Sequence, residues 1–403
     1  MNKNIVIAGA GIAGLYAAKA ARDRDPDCAI TLIDASEHNT YSRTRLPEYI
    51  SGEIQKKDLF PYSDEWYEKY GIRLLTSLKI NEIDTAAKAL HTDDGVIGYD
   101  SLVIATGSSS NIPPIPGVEK QNVITVRTIG DADRIRRLGG KGTTCTIIGG
   151  GLLGLEMAWA VRQLGSDVNV IEFNSRLLPR QIDEQGATLL TDAISEKGIN
   201  IYLSSQTQEI YGAEKVEGIR LTNGTEIPSD FVILSTGVKA NTLPFSNSGM
   251  NIGRAIQVNK YLETSLEGIY AAGDVAEYEG NNFSIWPIAM AQGRIAGNNA
   301  ASDDSPDRKL EYTEIKPFTN LKIKGITMFS IGDVSGANCP AVYNFDNESK
   351  KYVKLFIRDN MIIGSIVFGD PTVTMKIKKA VEEGCQMPSN AETMSIDEIL
   401  GSL

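Results

Sequence analysis

Twice in this chain a short apolar strand runs into a glycine-rich turn, and the two turns lie 140 positions apart. The first strand, Asn4 to Ala8, leads into Gly9-Ala10-Gly11-Ile12-Ala13-Gly14; the second, Cys145 to Ile148, leads into Gly149-Gly150-Gly151-Leu152-Leu153-Gly154. Each turn opens a helix. Each helix is followed by a second strand ending on a carboxylate, Asp34 after Ala29 to Ile33 and Glu172 after Val168 to Ile171. Asp34 stands 20 positions after Gly14, and Glu172 stands 18 after Gly154. Whole units correspond, which predicts two Rossmann-type dinucleotide-binding domains.

Each unit closes on a similar strand, Leu102 to Ile104 before Ala105-Thr106-Gly107 and Phe231 to Leu234 before Thr236-Gly237. The proline-rich stretch 112–117 marks a boundary between them. A later strand ends in Gly273-Asp274, at the carboxyl end where an open α/β sheet places ligand groups. It is expected to return to the first domain, with a helix following from about Pro287 to Ala300. The tail then reads as strands, Leu321 to Ser330, Lys351 to Arg358 and Met361 to Phe368. The last two flank an Asp359-Asn360 turn, and a helix over 373–383 follows. The fold class expected is α/β. Residues 1–111 and 238–310 would form one nucleotide-binding domain, 112–237 a second, and 311–403 a small α+β domain.

Composition removes several function classes. Lys and Arg total 40 against 51 Asp and Glu, a formal charge of −11, so a nucleic-acid partner is not expected. No apolar run approaches the roughly 20 residues of a membrane span. The N-terminus reads as a strand rather than a cleaved signal, so a cytoplasmic location is expected. Cys28, Cys145, Cys339 and Cys385 form no CxxC pair, and His38 and His91 are too few for a histidine-built centre. Neither a disulfide framework nor a metal site is expected.

In such a turn the first glycine permits the bend, the second lets backbone approach a pyrophosphate, and the third lets helix pack on strand. The helix N-terminus offers N–H groups to phosphate, and the strand-end carboxylate takes the ribose hydroxyls. Only the first domain is completed by a distant Gly273-Asp274 strand. That extended cradle suits FAD at Gly9, Ala10, Gly11, Ile12, Ala13, Gly14 and Asp34. NADH is expected at Gly149, Gly151, Leu152, Gly154 and Glu172.

The ordered set GxGxxG, ATG, GGGxxGxE, STG and AAGD resembles the pyridine nucleotide-disulfide oxidoreductase superfamily over residues 1–310. Tyr41 to Glu48, Ile285 to Arg294 and Leu321 to Asp333 are most similar to its cysteine-free branch, the NADH:rubredoxin oxidoreductases and the flavin domain of NADH-dependent nitrite reductases. The redox cysteines of the disulfide reductases would fall at 41–50, where this chain has none.

The resemblance implies flavin-side contacts from Ala35, Ser42, Arg43, Ala105, Thr106, Gly107 and Arg127, an adenine contact from the Ile80 backbone, and a Trp286 N–H on the flavin C2 oxygen. Gly237 would border the nucleotide, and Glu156 would sit by nicotinamide and isoalloxazine. Related ferredoxin reductases carry lysine where Glu48 stands, to pair with the glutamate matching Glu156. Arg45 is the candidate partner here.

The activity implied is hydride transfer from NADH to FAD, then single-electron transfer to a rubredoxin-like or iron-sulfur protein. Lys322, Lys324 and the Lys376, Lys378 and Lys379 cluster are candidate docking charges. Two other outcomes fit the same nucleotide sites: an NADH oxidase that forms hydrogen peroxide, and an NADH-responsive redox sensor or scaffold.

Overall fold

The computed structural model describes residues 2–302, 308–336 and 339–403. The chain divides into two compact units. One comprises Met1–Tyr49, Ile54–Ser109 and Val238–Glu314, and the other Ile50–Glu53, Ser110–Gly237 and Ile315–Leu403.

The first unit is built on a five-stranded parallel sheet in the order Ile269–Ala271, Ser101–Ile104, Asn4–Ala8, Ala29–Ile33, Ile72–Leu75. The strand Asn4–Ala8 is central, and Ile5, Val6, Ile7 and Ala8 are fully buried, as a strand covered on both faces requires. Chain order reverses across it, so the crevice beyond its carboxyl end is where such a sheet takes a ligand. The helix Trp286–Ala301 lies against the helix Ile12–Arg24 at backbone distance. A Cβ on Gly293 would meet the Ala13 carbonyl oxygen at 2.2 Å, and one on Gly297 the Ala17 oxygen at 2.0 Å.

The second unit repeats the architecture. Its parallel sheet runs Ile199–Tyr202, Asp167–Ile171, Thr144–Ile148, Phe231–Leu234, Val123–Thr125. It also holds the tail, an antiparallel sheet ordered Phe318–Asn320, Met328–Gly332, Met361–Phe368, Lys351–Arg358, Ala341–Asp346, with helices Thr374–Glu383 and Ile396–Ser402. Asp359 and Asn360 both take positive φ (51° and 57°), the backbone of a two-residue type I′ turn.

One expectation needs correction. The stretch Leu321 to Ser330 is not one strand: residues 321–327 turn between two strands, through an Ile323–Ile326 bridge and Gly325 at φ +81°. The strand Ala341–Asp346 and the helix Ile396–Ser402 are further elements, beyond those the sequence pattern predicts. Cys28 lies just before the strand Ala29–Ile33, its Sγ 3.1 Å from the Asp25 carbonyl. Among the described residues no helix is long and apolar enough to cross a membrane.

Candidate functional site

Both glycine turns are forced by close approach. Gly9 (φ +113°) would place a Cβ 2.2 Å from the Ala105 carbonyl oxygen, and Gly149 (φ +115°) 2.2 Å from that of Ser235. The third glycines, Gly14 and Gly154, sit over the carbonyls of Gly9 and Gly149 at 1.8 and 2.0 Å. No side chain at all fits there. By contrast a Cβ on Gly11 or Gly151 would meet nothing within 4 Å. These middle glycines cap the helices Ile12–Arg24 and Leu152–Gln163, and neither helix has a capping side chain or an acid in its first turn. The space beside each capping glycine is open, and no side chain takes the N–H groups that a phosphate would need.

The strand-end carboxylates hold these turns in the same way. Asp34 Oδ2 accepts the Ala10 N–H at 2.6 Å and Oδ1 the Ser36 N–H at 2.7 Å. Glu172 Oε2 accepts the Gly150 N–H at 2.7 Å and Oε1 the Asn174 N–H at 2.8 Å. The match continues to the next strand. Leu78 N and Ser77 N donate to the carbonyls of Asp34 and Ser36, and Ser205 N and Ser204 N to those of Glu172 and Asn174. One difference is an extra bond in the second repeat, from Asn174 Nδ2 to Glu172 Oε1 at 2.6 Å. A carboxylate has about four acceptor positions, so each keeps capacity for ribose hydroxyls.

Around the first turn, Ala105 N donates to the Ala8 carbonyl, and the Thr106 hydroxyl to the Asn241 carbonyl at 3.0 Å. Asn241 closes the loop by donating to the carbonyls of Thr106 and Gly107. A Cβ on Gly273 would lie 2.9 Å from that of Ala13, so the Gly273-Asp274 strand end meets the glycine-turn helix directly. Asp274 Oδ2 accepts the Ser108 hydroxyl at 2.6 Å. The Gly273 N–H is taken by the buried Gln292 side chain at 2.8 Å. Trp286 opens its helix after the extended Ile285, without a side-chain cap.

Ala35 is exposed beside Asp34, and Ile80, buried, starts the strand Ile80–Asp84 two residues beyond the Leu78 contact. Ser42 accepts the Arg45 N–H through its carbonyl, and the Arg43 guanidinium lies 5.7 Å from the Tyr41 ring centroid. Arg45 donates to Glu48 and to the Asp58 carbonyl, both at 2.8 Å.

In the second unit, the Arg127 N–H goes to Asp131, which completes a capping box with Thr128 at the start of the helix Ile129–Leu138. Gly237 (φ +90°) accepts the Asn111 N–H at 2.9 Å. Glu156, buried, accepts the Lys322 backbone N–H at 3.0 Å. Arg45 and Glu156 thus each have a partner within their own unit. Lys322, Lys324, Lys376 and Lys379 are exposed, whereas Lys378 covers the Phe318 ring at 4.4 Å.

Two groups were not foreseen. Thr40 Oγ1 donates to the Ala10 carbonyl at 2.7 Å, and the Tyr67 hydroxyl bonds Thr40 in turn at 3.0 Å. Asn174 could have been anticipated, since Asn two residues after an acid is a habitual turn former. Thr40 and Tyr67 carry no local signal. Of the cysteines, Cys28 and Cys145 are buried, and burial pushes both thiols above their ordinary pKa. Neither is poised as a thiolate.

Comparison with known proteins gives a consistent result. The family model described as pyridine nucleotide-disulphide oxidoreductase matches residues 3–293, and that of the rubredoxin NAD+ reductase C-terminal domain matches 317–385. The chain is 34% identical over 400 residues to the NADH-rubredoxin oxidoreductase of Clostridium acetobutylicum, covering 99% of both. The crystal structure of that organism's NADH:rubredoxin oxidoreductase is similar at a TM-score of 0.80, with 32% identity and full coverage of both chains. The chain is also 34% identical to a nitrite reductase [NAD(P)H] of Bacillus subtilis over 91% of its own length, but spans only 46% of that protein.

Proposed function

Because the chain belongs to the pyridine nucleotide-disulphide oxidoreductase family, whose members are FAD- and NADH-dependent oxidoreductases, we propose that it passes electrons from NADH singly to a small rubredoxin-like or iron-sulfur protein without a thiol relay. The observation that carries this reading is a pair of complete nucleotide turns in a chain whose segment 41–50 holds Arg43 and Arg45 but no cysteine. Bound FAD supplies the chemistry, taking a hydride from NADH and returning electrons one at a time.

The chain's own residues bind and orient. Gly9 to Gly14 and Asp34 hold the adenosine diphosphate half of FAD, with Ala35 and the Ile80 backbone at the adenosine. Ala105, Thr106, Gly107, Gly273 and Asp274 line the remainder, with Ser42 and Arg43 from the cysteine-free segment. The helix that starts at Trp286, uncapped by any side chain, would present to the flavin an N-terminus that favours negative charge. That end effect is worth about 0.3–2 kcal/mol. Gly149, Gly151, Leu152, Gly154 and Glu172 hold NADH, with Gly237 bordering it. Glu156 stands by the nicotinamide, its carboxylate oriented by the Lys322 N–H. Arg45, tied to Glu48, positions the 41–48 segment.

Two measurements test the reading. NADH consumption is followed with rubredoxin, with oxygen alone and with neither; fast turnover only with rubredoxin supports it, and equal rates with oxygen alone make the protein an oxidase. Replacing all four cysteines with serine or alanine is then expected to leave rubredoxin-linked turnover within a few fold of wild type. A loss of several orders of magnitude with FAD still bound would show that a thiol carries the electrons.

Nucleotide choice follows from Glu172. A 2′-phosphate carries about −1.5 to −2 charges and would face this carboxylate. Losing a hydrogen bond to a charged group costs roughly 1.5–3 kcal/mol, so NADH is favoured about ten- to a hundredfold. Arg176, the nearby cation that could offset this, turns to the Pro179 carbonyl at 3.3 Å and lies 4.0 Å from Glu184. Glu172→Ala is expected to narrow the preference; equal kcat/KM for NADH and NADPH in the unaltered protein would overturn it.

A further inference from the structure

We propose that Phe173 is the platform on which the adenine of NADH stacks, and that it strengthens the binding of the adenosine half specifically. The inference rests on the reading that Gly149 to Glu172 takes NADH. It begins where the two repeats stop matching. Ala10 and Gly150, Asp34 and Glu172, Ser36 and Asn174, Ser77 and Ser204, and Leu78 and Ser205 make equivalent hydrogen bonds. Between the second and third of these pairs stands Ala35 in one repeat and Phe173 in the other.

Phe173 is 68% exposed, whereas most of the chain's aromatic rings lie partly or wholly inside. A lone exposed phenylalanine is not unusual in itself. This one follows directly on the carboxylate that is to hold the adenosine ribose, and its backbone is fixed from both sides. Glu172 donates its N–H to the Tyr202 carbonyl and accepts that of Ser205; Asn174 donates to Glu172 Oε1 and accepts the Ser204 N–H. The Asn174 side chain adds its own bond to the same carboxylate. A ring on so rigid a backbone loses little freedom when a base settles on it. A flat aromatic face next to a ribose-binding acid suits a purine, and every base has a π-face that stacks on such a ring.

The test uses the yellow holoprotein and two halves of the nucleotide, ADP-ribose and nicotinamide mononucleotide, with binding measured by calorimetry. Phe173→Ala is expected to raise the Kd of ADP-ribose about tenfold, to leave that of nicotinamide mononucleotide unchanged, and to raise KM for NADH with kcat preserved. Phe173→Trp should restore ADP-ribose affinity. ADP-ribose binding within twofold of wild type in Phe173→Ala would overturn the proposal while leaving the NADH site standing. Equal weakening of both halves would also overturn it, because the ring would then be acting through the fold. Failure of unaltered holoprotein to bind ADP-ribose would remove the NADH site itself, and the platform with it.

Discussion

Gly14→Ala is expected to yield colourless protein, and Gly154→Ala yellow protein whose flavin NADH reduces on the order of a hundredfold more slowly, the loss that about 2.7 kcal/mol produces. Both substitutions add one methyl group, and in both it would land on a carbonyl oxygen, Gly9 at 1.8 Å or Gly149 at 2.0 Å. Neither neighbour is a flexible side-chain end that could swing aside. The glycine turn must open, and its helix N-terminus then moves away from the phosphates it would serve. The two variants are matched in chemistry and differ only in the repeat they damage. Flavin absorbance after gel filtration reports the first site, and stopped-flow bleaching by NADH the second. A Gly14→Ala protein with full flavin content would sink the assignment of FAD to the first turn, and normal bleaching in Gly154→Ala would sink that of NADH to the second.

The second large effect concerns stability. Asp183 caps the helix Glu184–Ser195 by accepting the Gly186 N–H at 3.0 Å, and it also accepts the Tyr352 hydroxyl at 2.7 Å and the Lys354 ammonium at 2.9 Å. Within one unit it therefore joins the second nucleotide-binding fold to the antiparallel sheet of the tail. Burial works against the charge, yet the hydrogen bonds from Tyr352, Lys354 and Gly186 outweigh it and hold the carboxyl below its usual pKa of 3.8. A depressed folded-state pKa means stabilisation that is present above the unfolded value and lost as pH falls through the folded one. Asp183→Asn is expected to cost roughly 2–3 kcal/mol at pH 7. The gap between variant and wild type should shrink as the pH drops below 3.8. Urea midpoints at pH 7 and pH 3 check this; a gap that stayed constant would exclude the charge as its source.

What could be read without coordinates was whatever the backbone itself demands. A carbonyl within about 2 Å of a Cβ position leaves only glycine, so both turns were visible, and the acids that hold them stand at a fixed distance along the chain. The Asp359-Asn360 hairpin was legible for the same reason, since few residues tolerate positive φ. Leu321 to Ser330 misled because its apolar side chains alternate as in a strand, while Gly325 at φ +81° lets them turn inward around a bend. The strand Ala341–Asp346 lies at a sheet edge and is largely exposed, so alternation is weak. The helix Ile396–Ser402 did carry a signal, the capping box of Ser395 with Glu398, in a segment too short for periodicity to help. Thr40 and Tyr67 reach Ala10 only through the tertiary fold, and no pattern along the chain announces a bond between residues 30 apart.

The contact between Gly293 and Gly297 and the carbonyls of Ala13 and Ala17 bears on how the protein is made. The two helices meet across 280 positions. The helix Ile12–Arg24 leaves the ribosome early, with a face of alanines and little else to bury. Its partner is not translated until residue 301. At synthesis rates of about 5–20 residues per second, that interval lasts roughly 15–60 s. Meanwhile the whole of 110–237 has emerged, with all five strands of its parallel sheet and its own glycine turn. The nascent protein would therefore acquire its second nucleotide turn before its first is buttressed, the reverse of their order in the gene.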